Sequence, residues 1–475
     1  MTQPFPEQGL SAKDIVERLN ALKINDIDWK SGRVFAYVYD AGEESQDLLR
    51  QAHNLFLSEN ALDPTVFPSL LHLENEVIAW AADLVGGNAE TVGNFTTGGT
   101  ESIFLALKTA RDFAKATRQI QTPEVILPHT AHAAFHKACA FLGIKPIVIA
   151  VDKTSFCAVP AWIEEAITPN TILLVASAPS YAHGVIDPIE EIAKIAQKHN
   201  LLFHVDACVG GMYLPFAKEV GYQIPSFDFS VEGVTSLSMD FHKFGYAAKG
   251  ASAVLYKNAH LRQYQLFVSS SWAGYTMINT TLLSTKSGGS LAACWAILNF
   301  LGKEGYRQRV QMTMEATQRM IDYAKDSDYF YLLGKPAMNL VAFASDKVNL
   351  FELADLMRLK GWYLQPQLQS TTSPENLHFS ISPSNVPQIT FLLEDLDTAC
   401  RELLARPSAL KAQVSAILTS LQSSKQPSIA DITTLLGMKE GNLPTEMALI
   451  NALLNELPVP MREYLLKAFV NELFK

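Results

Sequence analysis

The chain has 475 residues, 48% of them hydrophobic and 18% charged, which is enough apolar mass for a large core and for two domains. A formal net charge of −10 without a long basic run argues against nucleic acid as a partner. Five scattered cysteines without a CxxC pair, no apolar stretch near the ~18–20 residues of a membrane helix, and no basic, apolar leader after Met1 together predict a reduced, soluble, cytoplasmic protein with no transmembrane segment.

Residues 1–60 are expected to form a helical segment, interrupted by an extended stretch from Gly32 to Tyr39. From 61 to 305 short apolar runs alternate with longer amphipathic ones. Val125 to Leu127, Pro146 to Val151, Thr171 to Ala176 and Leu201 to Val205 read as strands buried on both faces. Between the last two, Ile189, Ile192, Ile195 and Ala196 recur at helical spacing. Such alternation predicts a mainly parallel α/β sheet, whose ligands sit beyond the carboxyl ends of the strands. Residues 306–475 read as a smaller α+β domain. It should contain a helix from Gly305 to Lys325, short strands at Leu340–Ala344 and Leu377–Ile381, and a helical tail from 405 with Ser423-Ser424-Lys425-Gln426 as a surface loop.

One constellation carries chemistry. Asp206 closes the apolar run Leu201–Val205, and further on stands Ser238-Met239-Asp240-Phe241-His242-Lys243-Phe244-Gly245-Tyr246. A lysine on a surface turn is the plain reading of Lys243. The small residues after it (Gly245, Ala247, Ala248, Gly250, Ala251) let the backbone approach a ligand closely. A buried, unpaired carboxylate costs several kcal/mol or takes up a proton, so Asp206 needs either a cationic partner or a turn to cap. An Asp at a strand end followed by a His-Lys turn is how a large enzyme group holds pyridoxal 5′-phosphate (PLP). The lysine forms a Schiff base with the aldehyde, and the aspartate keeps the pyridine nitrogen protonated.

Two further segments fit that cofactor. Gly98-Gly99-Thr100-Glu101-Ser102 opens the amphipathic run Ile103–Ala116; alone it is a helix cap, but its free N–H groups and the positive helix end suit a phosphate. His129, His132 and His136 match no zinc spacing, so no metal site is expected. His132 is the candidate to stack on the pyridine ring.

Asn94 to Ser102, His183-Gly184-Val185-Ile186-Asp187-Pro188 and His204-Val205-Asp206-Ala207 resemble the group II PLP decarboxylase and lyase superfamily, of fold type I (aspartate aminotransferase-like). Asp206-Ala207-Cys208 with Gly210-Gly211, the run His242 to Gly250, and Asp63-Pro64-Thr65-Val66-Phe67-Pro68 resemble its sphingosine-1-phosphate lyase branch. The resemblance implies a homodimer whose active sites share a loop from the partner. It also implies cleavage of the Cα–Cβ bond of a phosphorylated sphingoid base, giving a fatty aldehyde and phosphoethanolamine. Lys243 matches the Schiff-base lysine, Asp206 the pyridinium partner, and His132 the stacking histidine. Gly99, Thr100 and His242 match contacts to the cofactor phosphate, and Tyr39 and Lys249 match positions that hold the substrate phosphate. Asp63 stands where the branch has a substrate-binding histidine; Met277 and Lys286 replace its loop tyrosine and arginine. The resemblance is to a short, soluble, bacterial-type form, expected to do without the membrane anchor of the eukaryotic members. An amino-acid decarboxylase of group II is the alternative reading, and a non-catalytic PLP-binding homologue the third.

Overall fold

A computed structural model describes residues 5–423 and 446–474. Its centre is a seven-stranded sheet built from β1 (Val92–Thr96), β2 (Glu124–Pro128), β3 (Lys145–Ile149), β4 (Thr171–Ser177), β5 (Leu202–Asp206), β6 (Ser236–Asp240) and β7 (Ser252–Tyr256). The strand order is β1-β7-β6-β5-β4-β2-β3. Only β7 runs against its neighbours in this sheet. Helices α1 (Ala12–Leu22), α2 (Glu43–Leu55), α3 (Pro68–Leu84), α4 (Gly99–Arg118) and α5 (Ala133–Leu142) belong to the first half of the chain. A long helix, Gly288–Asp326, then leads away from the sheet, with non-helical geometry at Gly302.

The central strands are apolar because both faces are covered. Every residue of β2, β4, β6 and β7 is buried. β3 departs from that expectation. It is an edge strand with mixed burial, and Val148 is 42% exposed, because no strand and little helix covers its outer side. β6 and β7 carry no clear strand signal: the serines and the glycine-rich turn between them mask a pair that exists only as part of the sheet.

A second sheet has four antiparallel strands, β10 (Tyr331–Leu332), β11 (Leu340–Ala344), β12 (Gln365–Gln367) and β13 (Asn376–Ser380), in the order β10-β11-β13-β12. A small hairpin, β8 (Phe267–Ser269) with β9 (Met277–Asn279), stands apart from both sheets. The extended stretch near Val34 does not belong to an N-terminal unit of its own. Phe35 is fully buried in the core of the second sheet, 5.8 Å from the ring of Phe379. Its amide and carbonyl bond to Tyr363 and Ser380. In this way residues 33–39 are held beside the first sheet's functional edge. The described parts of the tail are helical (Leu410–Ser423, Ala448–Glu456, Val459–Leu473). Of the expected surface loop, Ser424, Lys425 and Gln426 lie outside the described residues.

Candidate active site

The carboxyl ends of the parallel strands converge on one edge. Asp206 is the last residue of β5 and Asp240 the last of β6; Ser252 pairs with both Asp240 and Thr96. A cavity of about 930 Å³ opens there, within the size range of a cofactor plus substrate. Lys243, Asp206, His132, Gly99, Thr100, His242, Tyr39 and Lys249 all line it. Residues scattered over two hundred positions are thus brought to a single wall.

Each cofactor-end side chain is fixed by its element. Asp206 is 7% exposed, and its Oδ1 accepts from the Cys208 amide at 3.0 Å and the Ser238 hydroxyl at 3.3 Å. The Cys208 thiol in turn donates to Ser238 at 3.3 Å, and burial pushes its pKa well up, so it stays a thiol. His132 caps α5, its Nδ1 accepting from the Ala134 amide at 3.2 Å, which holds the ring against the cavity. His242 is fixed similarly: Nδ1 accepts from the Ala251 amide at 3.2 Å, leaving Nε2 as the N–H donor. Burial lowers the His242 pKa, against the pull of Asp240.

Lys243 follows β6 on a turn pinned from below. The Phe241 and His242 amides share the Ala251 carbonyl, and the Tyr306 hydroxyl donates to the Gly245 carbonyl at 2.8 Å. Its Nζ pairs with Asp240 Oδ2 at 2.8 Å. Burial alone would lower the Lys243 pKa, but the Asp240 charge outweighs it and raises the value. Asp240 was not singled out from the sequence, although it stands only three residues before the lysine. A carboxylate at that spacing on a turn is a usable signal.

The geometry suits PLP. A Cβ on Gly99 would stand 2.8 Å from Cys208 Sγ and 2.9 Å from both Asp240 oxygens, so the head of α4 must be bare backbone. That leaves the first amides of α4 and the Thr100 hydroxyl for a phosphate. The Asp206 carboxylate stands at the end of β5 and lines the same cavity as Lys243.

Beyond the lysine the cavity changes character. Tyr39 lies edge-on to Phe244, with Lys249 Nζ 4.9 Å above its ring. Lys249 Nζ also donates to the Tyr37 and His242 carbonyls at 3.3 Å. Burial and the neighbouring Lys243 charge lower its pKa. A chain of hydrogen bonds closes this end: Tyr181 donates to Gln365 at 2.6 Å, and Gln365 donates to the Tyr37 hydroxyl at 3.2 Å. Tyr37 holds a φ of +64°, strained for a non-glycine residue. Sequence reading missed Tyr37, Tyr181 and Gln365. Tyr37 precedes Tyr39 by one strand period and could have been found; the other two carry no local signal. Phe104, Phe141, Leu282 and Leu283 give the cavity an apolar rim.

Asp63 is not brought to this wall. It is exposed, and its Oδ1 accepts from both the amide and the hydroxyl of Thr65 at 2.8 and 2.7 Å. Followed by Pro64, it acts as a turn-forming carboxylate, and those bonds lower its pKa. Lys286 is likewise turned away. It is buried against Glu74 at 2.7 Å, and the same glutamate accepts from the Asn94 side chain and the Phe95 amide. Among the described residues, no group of three or more His, Cys, Asp or Glu is placed to hold a metal ion.

The parallel sheet, the buried Asp206 and the His-Lys turn define a PLP-dependent enzyme of fold type I. A family model, the pyridoxal-dependent decarboxylase conserved domain, matches residues 2–346, and a C-terminal putative HTH domain of pyridoxal-dependent enzymes matches 411–472. The chain is 38% identical to the sphingosine-1-phosphate lyase of Arabidopsis thaliana over 92% of this chain and 80% of that one. To the enzyme of the same name from Dictyostelium discoideum it is 40% identical, over 82% and 73% of the two chains. The solved sphingosine-1-phosphate lyase of Burkholderia pseudomallei superposes with a TM-score of 0.81 at 32% identity, covering 89% of this chain and 97% of that one. The chain belongs to the sphingosine-1-phosphate lyase family, and its cofactor is PLP.

Proposed function

We propose that this protein cleaves the Cα–Cβ bond of a phosphorylated sphingoid base, releasing a long-chain aldehyde and phosphoethanolamine. The observation that carries the reading is the polarity of one cavity. The Lys243–Asp206 end, a cationic and hydroxylic end at Lys249 and Tyr39, and an apolar rim of Phe104, Phe141, Leu282 and Leu283 occur together. A substrate with an amine, a phosphate and a hydrocarbon tail needs all three.

In this reading Lys243 would carry PLP, with Gly99, Thr100 and His242 on its phosphate, His132 against its ring and Asp206 at its nitrogen. The bound cofactor supplies an electron sink for the bond that breaks. Lys249 attracts the substrate phosphate, and Tyr39 and Tyr37 offer hydroxyls beside it. Burial raises the Tyr39 pKa against the pull of Lys243, so its phenol stays a donor at neutral pH. The apolar rim takes the start of the tail out of water, worth about 0.8 kcal/mol per buried methylene.

A homodimer fits the exposed hairpin. Phe267, Val268, Trp272, Tyr275 and Ile278 are all more than 45% exposed on or beside β8 and β9, next to the rim of the cavity. Five unpaired cysteines suit a reducing, cytoplasmic setting; no described helix is long and apolar enough to cross a membrane.

The test is a product assay. Phosphorylated sphingosine and a panel of amino acids are offered to the wild type and to Lys243→Ala. Long-chain aldehyde from the wild type alone supports the proposal. Carbon dioxide from an amino acid, with no aldehyde, would replace it by the decarboxylase reading.

A further inference from the structure

We propose that Glu101 is a positioning residue that couples the cofactor end of the cavity to its apolar rim. One carboxylate oxygen holds the turn before α4, and the other holds the backbone that carries Leu282 and Leu283. The coupling rests on PLP being the cofactor; its effect on turnover rests also on the substrate reading above.

A glutamate in the first turn of a helix ordinarily serves that helix end alone. Half of Glu101 does so. Its Oε2 accepts from the amide and the hydroxyl of Thr97, both at 2.7 Å. Thr97 lies just before Gly98-Gly99-Thr100, the backbone that suits the cofactor phosphate. The other half has no such local purpose. Oε1 accepts from the Leu282 amide at 2.8 Å and the Leu283 amide at 3.4 Å, 181 and 182 residues along the chain. Glu101 is 7% exposed, so these bonds form out of water. There a hydrogen bond to a charged group is strong and an orphaned donor costly.

The rim needs such a support. Leu282 and Leu283 are 51% and 53% exposed, and their segment follows β9 without joining a strand. Its neighbouring ties satisfy carbonyls: Gln265 donates to the Thr280 carbonyl, and the Thr281 hydroxyl donates to the Leu283 carbonyl at 2.9 Å. Among the described residues, the two amides are left to Glu101. Thr97, Glu101, Leu282 and Leu283 all line the same cavity. A phosphate that fixes the head of α4 therefore also fixes Glu101, and through Oε1 the wall that meets an apolar tail. By linkage, the ordered wall favours the bound cofactor to the same degree.

Two substitutions separate this bridge from a plain charge at a helix end. Glu101→Gln keeps the shape but has one accepting oxygen. Whichever way its amide turns, the NH2 group faces backbone N–H donors at one end, and the bridge is cut. Glu101→Asp keeps the charge in the first turn of α4 and, one methylene shorter, reaches only one of the two segments.

The first test needs no turnover. Hydrogen exchange of a peptide spanning residues 280–285 is followed by mass spectrometry in the full chain, cofactor-free and PLP-loaded. Loading should slow exchange about fivefold or more in the wild type, the low end of the range for coupled sites, and less than about twofold in both variants. Equal slowing in all three chains would mean direct shielding by the cofactor and overturns the proposal. So does a wild type without added protection, or a Glu101→Asp chain protected like the wild type. The second test is kinetic, at saturating PLP, with phosphorylated sphingosine beside a short-chain phosphorylated 2-amino-1,3-diol. Glu101→Gln should raise KM about tenfold for the long-chain compound, the burial of roughly two methylenes, and leave its kcat and both short-chain constants within about twofold. An equal loss on both compounds, or a loss in kcat alone, overturns the positioning role. If the wild type releases no aldehyde from either compound, the substrate reading fails and the exchange measurement alone decides on Glu101. Should Glu101→Gln not fold, Glu101→Asp carries both measurements.

Discussion

The two ends of the cavity are built on opposite principles. At the cofactor end Asp206 and Asp240 sit at the termini of the adjacent strands β5 and β6, each fixed by a buried partner, against the backbone of Gly99 at the head of α4. At the substrate end the residues come from segments far apart in the chain, and Tyr37 remains exposed. A sheet edge gives exact placement in a low dielectric, where charge is effective and costly to alter. Loops from several regions give a surface that can be re-specified residue by residue. Substitutions should therefore act mainly on rate at the first end and on substrate affinity at the second.

The sharpest test of this contrast is Asp206→Asn. It should keep PLP bound but lower kcat about 10²- to 10⁴-fold, because an amide cannot hold a pyridinium proton; steady-state kinetics with bound cofactor quantified beside it checks this. A loss confined to KM would erase the distinction between the ends. The next effect is on stability. Lys286→Met leaves Glu74 buried without its cation, and urea unfolding should register a loss of about 3–5 kcal/mol. The double variant with Glu74→Gln should recover part of it.

Acid should weaken the fold behind both ends. Burial pushes the His204 and His183 pKa values down to about 4 and that of His378 to about 3. An unfolded histidine titrates near ~6.5. Between that pH and about 4 the unfolded chain binds more protons, so stability is lost as pH falls. Asp187, raised to about 6 by burial, works the other way, but it is one group against three. Urea midpoints measured from pH 7 to 4.5 should decline; a rising midpoint would show that Asp187 dominates.

Smaller effects belong to the substrate end. Lys249→Met should raise KM for a phosphorylated sphingoid base about tenfold, equivalent to ~1.4 kcal/mol, with kcat little changed. An equal fall in kcat would place Lys249 with the cofactor residues instead. Asp63→Asn should matter least, leaving kcat/KM within about twofold, since the carboxylate serves its own turn and the amide oxygen can still accept from Thr65. A larger change would bring Asp63 into a site completed by a second subunit.

What could be read from the residues in order was local. Short, mostly apolar runs gave β2, β4 and β5, because strands covered on both faces present few polar residues. Asp206, Gly99-Thr100 and the His242-Lys243 turn were legible since their chemistry is packed into short motifs whose spacing the sheet edge dictates. β3 was misjudged as a two-sided strand because edge position is a property of the sheet, not of the segment. β6 and β7 went unseen because serines in strands are satisfied only by neighbours such as Ser102 and His204. Phe35 inside the second core, Lys286 turned onto Glu74, the Tyr181–Gln365–Tyr37 chain and the bare carboxyl oxygen of Asp240 are all contacts between distant segments. Sequence by itself thus determined the cofactor and the class of fold, through short-range patterns that PLP chemistry and strand burial impose. Only the tertiary structure decided which charges are paired, which polar atoms are left unpaired, and which loops meet at the substrate end, because those depend on distances that no spacing along the chain encodes.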